Sequence, residues 1–172
     1  MAETLITLKK RRSCRAYLPD LIGEEKLNAI LEAGTWAATG MGKQSPIILA
    51  GTDRAMRDRL SRMNAAVMGR DGDPFYGAPE VLVVLADRKI PTHVYDGSLV
   101  LGNMMNAAAD LGVASCWIHR AKETFDSEEG KAILRDLGIE GDYEGVGNLI
   151  LGYAASPAPE PSPRKANYVY RI

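Results

Sequence analysis

Between Asp96 and Asp110 the chain runs through GSLVLGNMMNAAA without one charged residue, and Gly112 follows where a helix C-terminus favours a left-handed residue. A helix that is apolar all round has to be buried. The stretch Asp96–Leu111 therefore either threads the middle of a domain or lies against a second subunit, and the remaining elements have to be arranged around it.

Those elements follow from periodicity. A short helix over residues 3–12 ends in cations that suit its C-terminal dipole. Glu24–Ala38 carries acidic residues in its first turn and has Leu27, Ile30, Leu31 and Gly34 at helical spacing. Asp53 to Met68 reads as a helix with Met56, Leu60, Met63 and Val67 on one face, core filler rather than ligands. Ser127–Leu137 reads as an amphipathic helix. Short apolar runs at Ile47–Gly51, Val81–Ala86, Ala114–Ile118 and Gly147–Tyr153 read as strands, the second of them buried on both faces. Thr39–Pro46 is loop chemistry, and Arg70–Pro79 is a turn-rich linker. Beyond residue 153, Pro157, Pro159, Pro161 and Pro163 recur every second residue, a spacing that joins neither helix nor central strand. This arm, 154–172, delivers an alternating strand-like end, Tyr168–Ile172, to a distant edge such as that of another subunit. No internal repeat and no second-domain boundary is visible, so residues 1–172 read as a single domain.

Composition narrows the function classes. With 21 basic and 22 acidic residues among 172, there is no global attraction to nucleic acid or anionic membrane. The opening residues place charges after apolar residues and lack the core of a secretory signal, no run suffices to span a bilayer, and two cysteines build no disulfide framework. A cytoplasmic protein is expected. Two histidines and two cysteines also argue against a metal site.

Several machineries are missing. No G-x-G-x-x-G follows a strand, Gly40–Gln44 lacks P-loop spacing, and neither G-x-S-x-G nor H-E-x-x-H occurs. Cys116 and His119 would point to opposite faces of a strand, so a buried structural cysteine is the expected reading. Four places carry positive signals. In Arg11-Arg12-Ser13-Cys14-Arg15, an extended backbone would point Arg11, Ser13 and Arg15 the same way, and guanidinium forks suit a terminal phosphate. The glycines of Thr39–Pro46 permit close backbone approach to a flat ligand, and Gln44 can both donate and accept. Ser115–Arg120 ends a strand, and Arg164-Lys165 follows the proline arm.

Read in order, RRSCRAYLPDLI, ATGMGKQSPIILA, DPFYGAPEVLVVLAD, DGSLVLGNMMNAAADLGVASCWIHR and NLILGYAASPAPEPSPRKANYVYRI resemble the nitroreductase family of flavin enzymes over nearly the whole chain. The resemblance implies an α+β fold with a mixed, mostly antiparallel sheet flanked by helices. It implies a homodimer with FMN sites at the interface and a C-terminal strand exchanged with the partner. By the same resemblance, Arg11, Arg12 and Ser13 hold the FMN phosphate and ribityl chain, and Arg15 sits beside the pyrimidine edge, where its permanent charge stabilises the reduced ring. Thr39, Gly40, Met41, Gly42 and Gln44 form the loop laid on the ring by the partner. Asn64 makes a polar contact to the ring's carbonyl side, Trp117, Ile118 and His119 present backbone to the ring, and Arg164 and Lys165 complete the phosphate site.

The implied activity is ping-pong hydride transfer from NADH or NADPH through FMN to a nitroaromatic or quinone, with no side chain acting as catalytic acid or base. The alternative is a flavin-binding sensor or carrier without efficient turnover. Where many relatives have Pro-Ser, Asn and Trp, this chain has Ala38-Thr39, Gly42 and Ile47, so the loop's contacts are expected to be mainly backbone. The chain is also short for the family, which implies a reduced substrate lid.

Overall fold

The computed structural model describes residues 2–172. In chain order it contains α1 (Glu3–Lys10), α2 (Glu24–Thr35), β1 (Pro46–Gly51), α3 (Arg54–Met68), β2 (Glu80–Asp87), α4 (His93–Asp110), β3 (Ala114–Ile118), α5 (Ala121–Asp126), α6 (Glu128–Asp136) and β4 (Tyr143–Gly152). The strands form one four-stranded sheet in the order β1-β2-β4-β3, and every neighbouring pair is antiparallel. One parallel contact, a bridge from Ser13 to Ser115, ties the segment after α1 to the β3 edge. The architecture is α+β, as the resemblance implies.

β2 and β4 occupy the sheet centre, which explains why their sequences are nearly continuous apolar runs: Val81 to Ala86 and Leu149 to Leu151 are all fully buried. Their alternate residues feed two cores. Leu82, Val84, Leu149 and Leu151 face α2 and α4, where Ile30, Leu101 and Met104 meet them. Val81, Val83, Leu85 and Ile150 face α3, α5 and α6, where Leu60, Phe75, Phe125 and Ile133 meet them.

α4 therefore lies against the sheet, as its lack of charge demands, but not every face is covered. Tyr95 and Leu99 are 72% and 51% exposed, and Leu5, Ile6 and Leu8 of α1 are exposed as well.

Several boundaries differ from expectation. α2 stops at Thr35 rather than residue 38, leaving Trp36 in solvent at its C-cap. β4 begins at Tyr143, four residues early, because Glu144 and Gly145 continue the pairing with β2 across a bulge at Val84/Leu85. The six-residue α5 has no periodicity long enough to announce it. The arm from residue 155 onward is exposed, and Tyr168–Ile172 pairs with no strand among the described residues.

Among the described residues, no helix is long and apolar enough to cross a membrane.

Candidate functional site

The arginine run leaves α1 in extended conformation because Arg11, at the C-cap, has φ −55° and ψ 128°. It is then pinned from both sides. The Cys14 amide donates to the Ser115 carbonyl at 3.0 Å, and the Tyr17 hydroxyl donates to the Cys14 carbonyl at 2.9 Å. Burial, followed by the nearby Cys14 and Cys116 thiols, pushes the Tyr17 phenol far up from its ordinary value, so it remains a neutral donor.

The outcome is a cleft of about 250 Å³ lined by Arg11, Arg12, Ser13, Cys14 and Arg15, with Gly112 and Ser115 behind them and the start of the proline arm on one wall. All five residues of the run line it. One atom stands out. Arg12 Nη1 donates to the Arg11 carbonyl at 2.6 Å, but Arg12 Nε is buried with no partner among the described residues. A buried, unpaired guanidinium nitrogen beside two further arginines and a serine hydroxyl is a donor set that fits a phosphate.

Arg15 also lines a second cleft of about 480 Å³ with Trp117, Ile118, His119, Tyr76 and Arg120. Two buried amides hold its floor. Asn64 donates Nδ2 to the His119 carbonyl at 2.8 Å and accepts from Arg120 Nε at 3.0 Å through Oδ1. Asn148 donates to the carbonyls of Ile118 and His119, both at 3.3 Å. Asn64 thus has internal partners on both sides of its amide and braces the segment. Asn148 does the same and is missed by sequence reading, although an Asn amid the apolar run of β4 is the signal that would have found it. Gly147 leaves the room that Trp117 fills, since a Cβ there would stand 2.3 Å from the indole Nε1.

The loop residues Thr39, Gly40, Met41, Gly42 and Gln44 are elsewhere. They form a 3-10 turn at Gly40–Gly42, with Met41 and Gln44 in the left-handed region at φ 53° and 49°. Asp96, 2% exposed at the head of α4, clamps this loop. It accepts from the Gly40 amide at 2.9 Å, the Ser45 hydroxyl at 2.7 Å and the Thr92 hydroxyl at 3.1 Å. Sequence reading passes over Asp96, and its one signal is a lone carboxylate heading an uncharged helix.

Gly40 is required at its position, because a Cβ would lie 2.2 Å from Thr92 Oγ1. Gly40→Ala should displace Thr92 from Asp96 and cost about 1–3 kcal/mol, which a thermal melt will read as a fall of several degrees.

The candidate residues thus form two groups that one chain keeps apart. The loop precedes β1 and the arginine and Trp117–His119 group sits on β3, the two opposite edges of the sheet. Three strand spacings put those edges roughly 14 Å apart. Along α4, Asp96 and Ala109 mark the two groups, about 20 Å apart at 1.5 Å per residue. Arg164 and Lys165 join neither group. Arg164 donates to the Ser162 carbonyl at 2.7 Å, and Lys165 stacks on Tyr168 at 5.2 Å.

The nitroreductase family profile matches residues 8–70, the span from the arginine run to the end of α3. A search of curated proteins returns no match. Among solved structures, a nitroreductase with bound FMN from Bacteroides fragilis is 31% identical over 100% of both chains, with a TM-score of 0.90. A nitroreductase with bound FMN from Desulfitobacterium hafniense is 26% identical over 100% of both chains, with a TM-score of 0.88. An FMN-dependent nitroreductase from Clostridium difficile, 22% identical over 99% of each chain with a TM-score of 0.80, adds a likeness of fold. Identity of 31% sustained from end to end on one architecture is a family relationship, and this chain belongs to the nitroreductase family.

Proposed function

We propose that this protein is an FMN-dependent oxidoreductase of the cytoplasm, a homodimer of single-domain subunits with one flavin site at each of two places along the subunit seam. The observation that carries the reading is the unpartnered, buried Arg12 Nε within the Arg11–Arg15 cleft, a position ready for an anion. Two structural nitroreductases similar to this chain have FMN bound.

FMN bound there would supply two-electron chemistry, suited to a ping-pong cycle with NADH or NADPH as donor and a nitroaromatic or quinone as acceptor. The chain's own groups bind, orient and tune. Arg11, Arg12 and Ser13 hold the phosphate and ribityl chain. Arg15, shared by both clefts, would place a permanent positive charge beside the ring and favour its reduced, anionic form. Asn64 and Asn148 fix the backbone of Trp117–His119 against the ring, and no proton has to be handled by a side chain.

The separation of the two residue groups supports the dimer, because the Thr39–Gln44 loop can cover a ring only in another subunit. The exposed Tyr95, Leu99 and α1 leucines offer the apolar seam, and the arm from residue 154 offers the exchanged segment that brings Arg164 and Lys165 to the phosphate.

The test has three readings. Freshly purified protein should be yellow and dimeric by light scattering. NADH or NADPH should bleach it without oxygen, and a quinone should restore the colour. Arg15→Ala should slow reduction more than it loosens flavin, whereas Arg11→Ala should mainly loosen flavin. Bleaching that fails in a yellow protein would support a flavin carrier, and a colourless protein that ignores added FMN would end both readings.

A further inference from the structure

Among the described residues, four that are not glycine have φ in the left-handed region, and all four fall on the candidate site. Met41 and Gln44 lie in the loop, and Tyr76 and Arg120, at φ 54° and 73°, line the same 480 Å³ cleft. Such backbone costs free energy and persists only where the surroundings over-determine it.

The surroundings of Tyr76 do so. Asp73 accepts from Arg57 Nη2 at 2.5 Å, Ser61 Oγ at 2.6 Å, the Phe75 amide at 2.9 Å and the Gly77 amide at 2.7 Å, while the Tyr76 amide donates to the Asp73 carbonyl at 3.1 Å. Phe75 is fully buried under the Arg57 guanidinium. The turn holds Tyr76 away from the core, 43% exposed on the cleft.

Arg120 is fixed in a similar way. Its Nε is taken by Asn64, and its carbonyl accepts from the Thr124 amide at 3.0 Å and hydroxyl at 2.8 Å. Its two terminal nitrogens have no protein acceptor among the described residues. Arg15 and Arg70 add their charges to the same cleft, against Asp71 and an Asp73 already occupied by Arg57.

Building on the flavin reading, we infer that Tyr76 and Arg120 are the substrate-facing pair and that this cleft selects planar aromatic acids. The substrate ring lies against the Tyr76 phenol, and its carboxylate takes the two terminal nitrogens of Arg120. A two-pronged, charge-assisted pair gives an advantage over a neutral isostere of about ten-fold, and the ring contact serves both.

The experiment titrates oxidised, flavin-loaded protein with 4-nitrobenzoate and with 4-nitrobenzamide, following the flavin absorption band, so that no turnover is needed. Wild type should bind the acid about ten-fold more tightly at low salt, and the advantage should shrink in about 0.5 M salt. In Arg120→Gln the acid-to-amide ratio should fall to about one, with Arg120→Lys in between. Tyr76→Leu should weaken both ligands several-fold, and Tyr76→Phe should restore them. An acid-to-amide ratio of one in wild type, or a wild-type ratio in Arg120→Gln, overturns the acid selectivity. Unchanged affinities in Tyr76→Leu overturn the role of that ring. Protein that cannot be loaded with FMN fails at the parent reading instead, and its colourless spectrum identifies that failure.

Discussion

Asp96→Ala should unfold roughly 5–15 °C below wild type and lose most of its hold on flavin, although the residue is expected to touch no ligand. The carboxylate is buried and accepts from the Gly40 amide and the Ser45 and Thr92 hydroxyls. Removing it leaves three donors without an acceptor, a cost of about 2–4 kcal/mol after partial rescue by water. The loop is then free to leave the conformation in which Met41 and Gln44 sit at positive φ.

The dependence on pH has a definite sign. Burial pushes the Asp96 carboxyl up, but the bonds from Gly40, Ser45 and Thr92, with the nearby His93, more than offset it and hold the group below its ordinary value of 3.8. A depressed folded-state value means that the ionised group contributes fully above 3.8 and that its contribution is lost as pH falls through the lowered value. Wild type should therefore lose stability more steeply than Asp96→Ala below about pH 4. Melting curves of both proteins from pH 3 to pH 7 check this. Parallel curves, or a variant that melts with wild type, would remove Asp96 from its place as the loop's anchor.

Asp96 also shows which parts of such a site a sequence makes legible. Most elements were readable because apolar spacing is a local property: β2 and β4 carry the apolar runs Val81–Ala86 and Leu149–Leu151 because helices cover both faces, and α4 is uncharged between Asp96 and Asp110 because it lies on the sheet. The arginine run was readable because its cations are consecutive. Asp96, Asn148 and Asp73 were not, since each acts on residues distant in the chain. Asp96 meets Gly40 across 56 positions and Asn148 meets Ile118 across 30. The DGDPFYGAP stretch reads as turn chemistry, but only the fold shows that Asp73 gathers Arg57, Ser61 and two amides around Tyr76. The terminal Tyr168–Ile172 pattern alternates as a strand would, yet among the described residues it forms none, because strand formation is decided by what lies alongside.

Arg12→Ala should change stability and ligand affinity in opposite directions. Without flavin, wild type carries a buried Nε that has given up water and gained nothing, a penalty of about 1–3 kcal/mol. Alanine removes that penalty along with the bond to the Arg11 carbonyl, so the flavin-free variant should be at least as stable as wild type. With flavin the order reverses. A hydrogen bond from a guanidinium to a phosphate contributes about 1.5–3 kcal/mol, so the variant should bind FMN about 10- to 150-fold more weakly. Wild type at a hundred-fold excess over its dissociation constant gains about 2.7 kcal/mol of stability from binding, and the variant at the same concentration should gain little. Arg12→Lys keeps the charge without the planar fork and should fall between. Melting temperatures with and without FMN, beside a fluorescence titration of free flavin, measure both signs in one preparation. A variant that is less stable when flavin-free and binds FMN as wild type does would make Arg12 a strut of the fold, and the phosphate would have to be sought elsewhere along the seam.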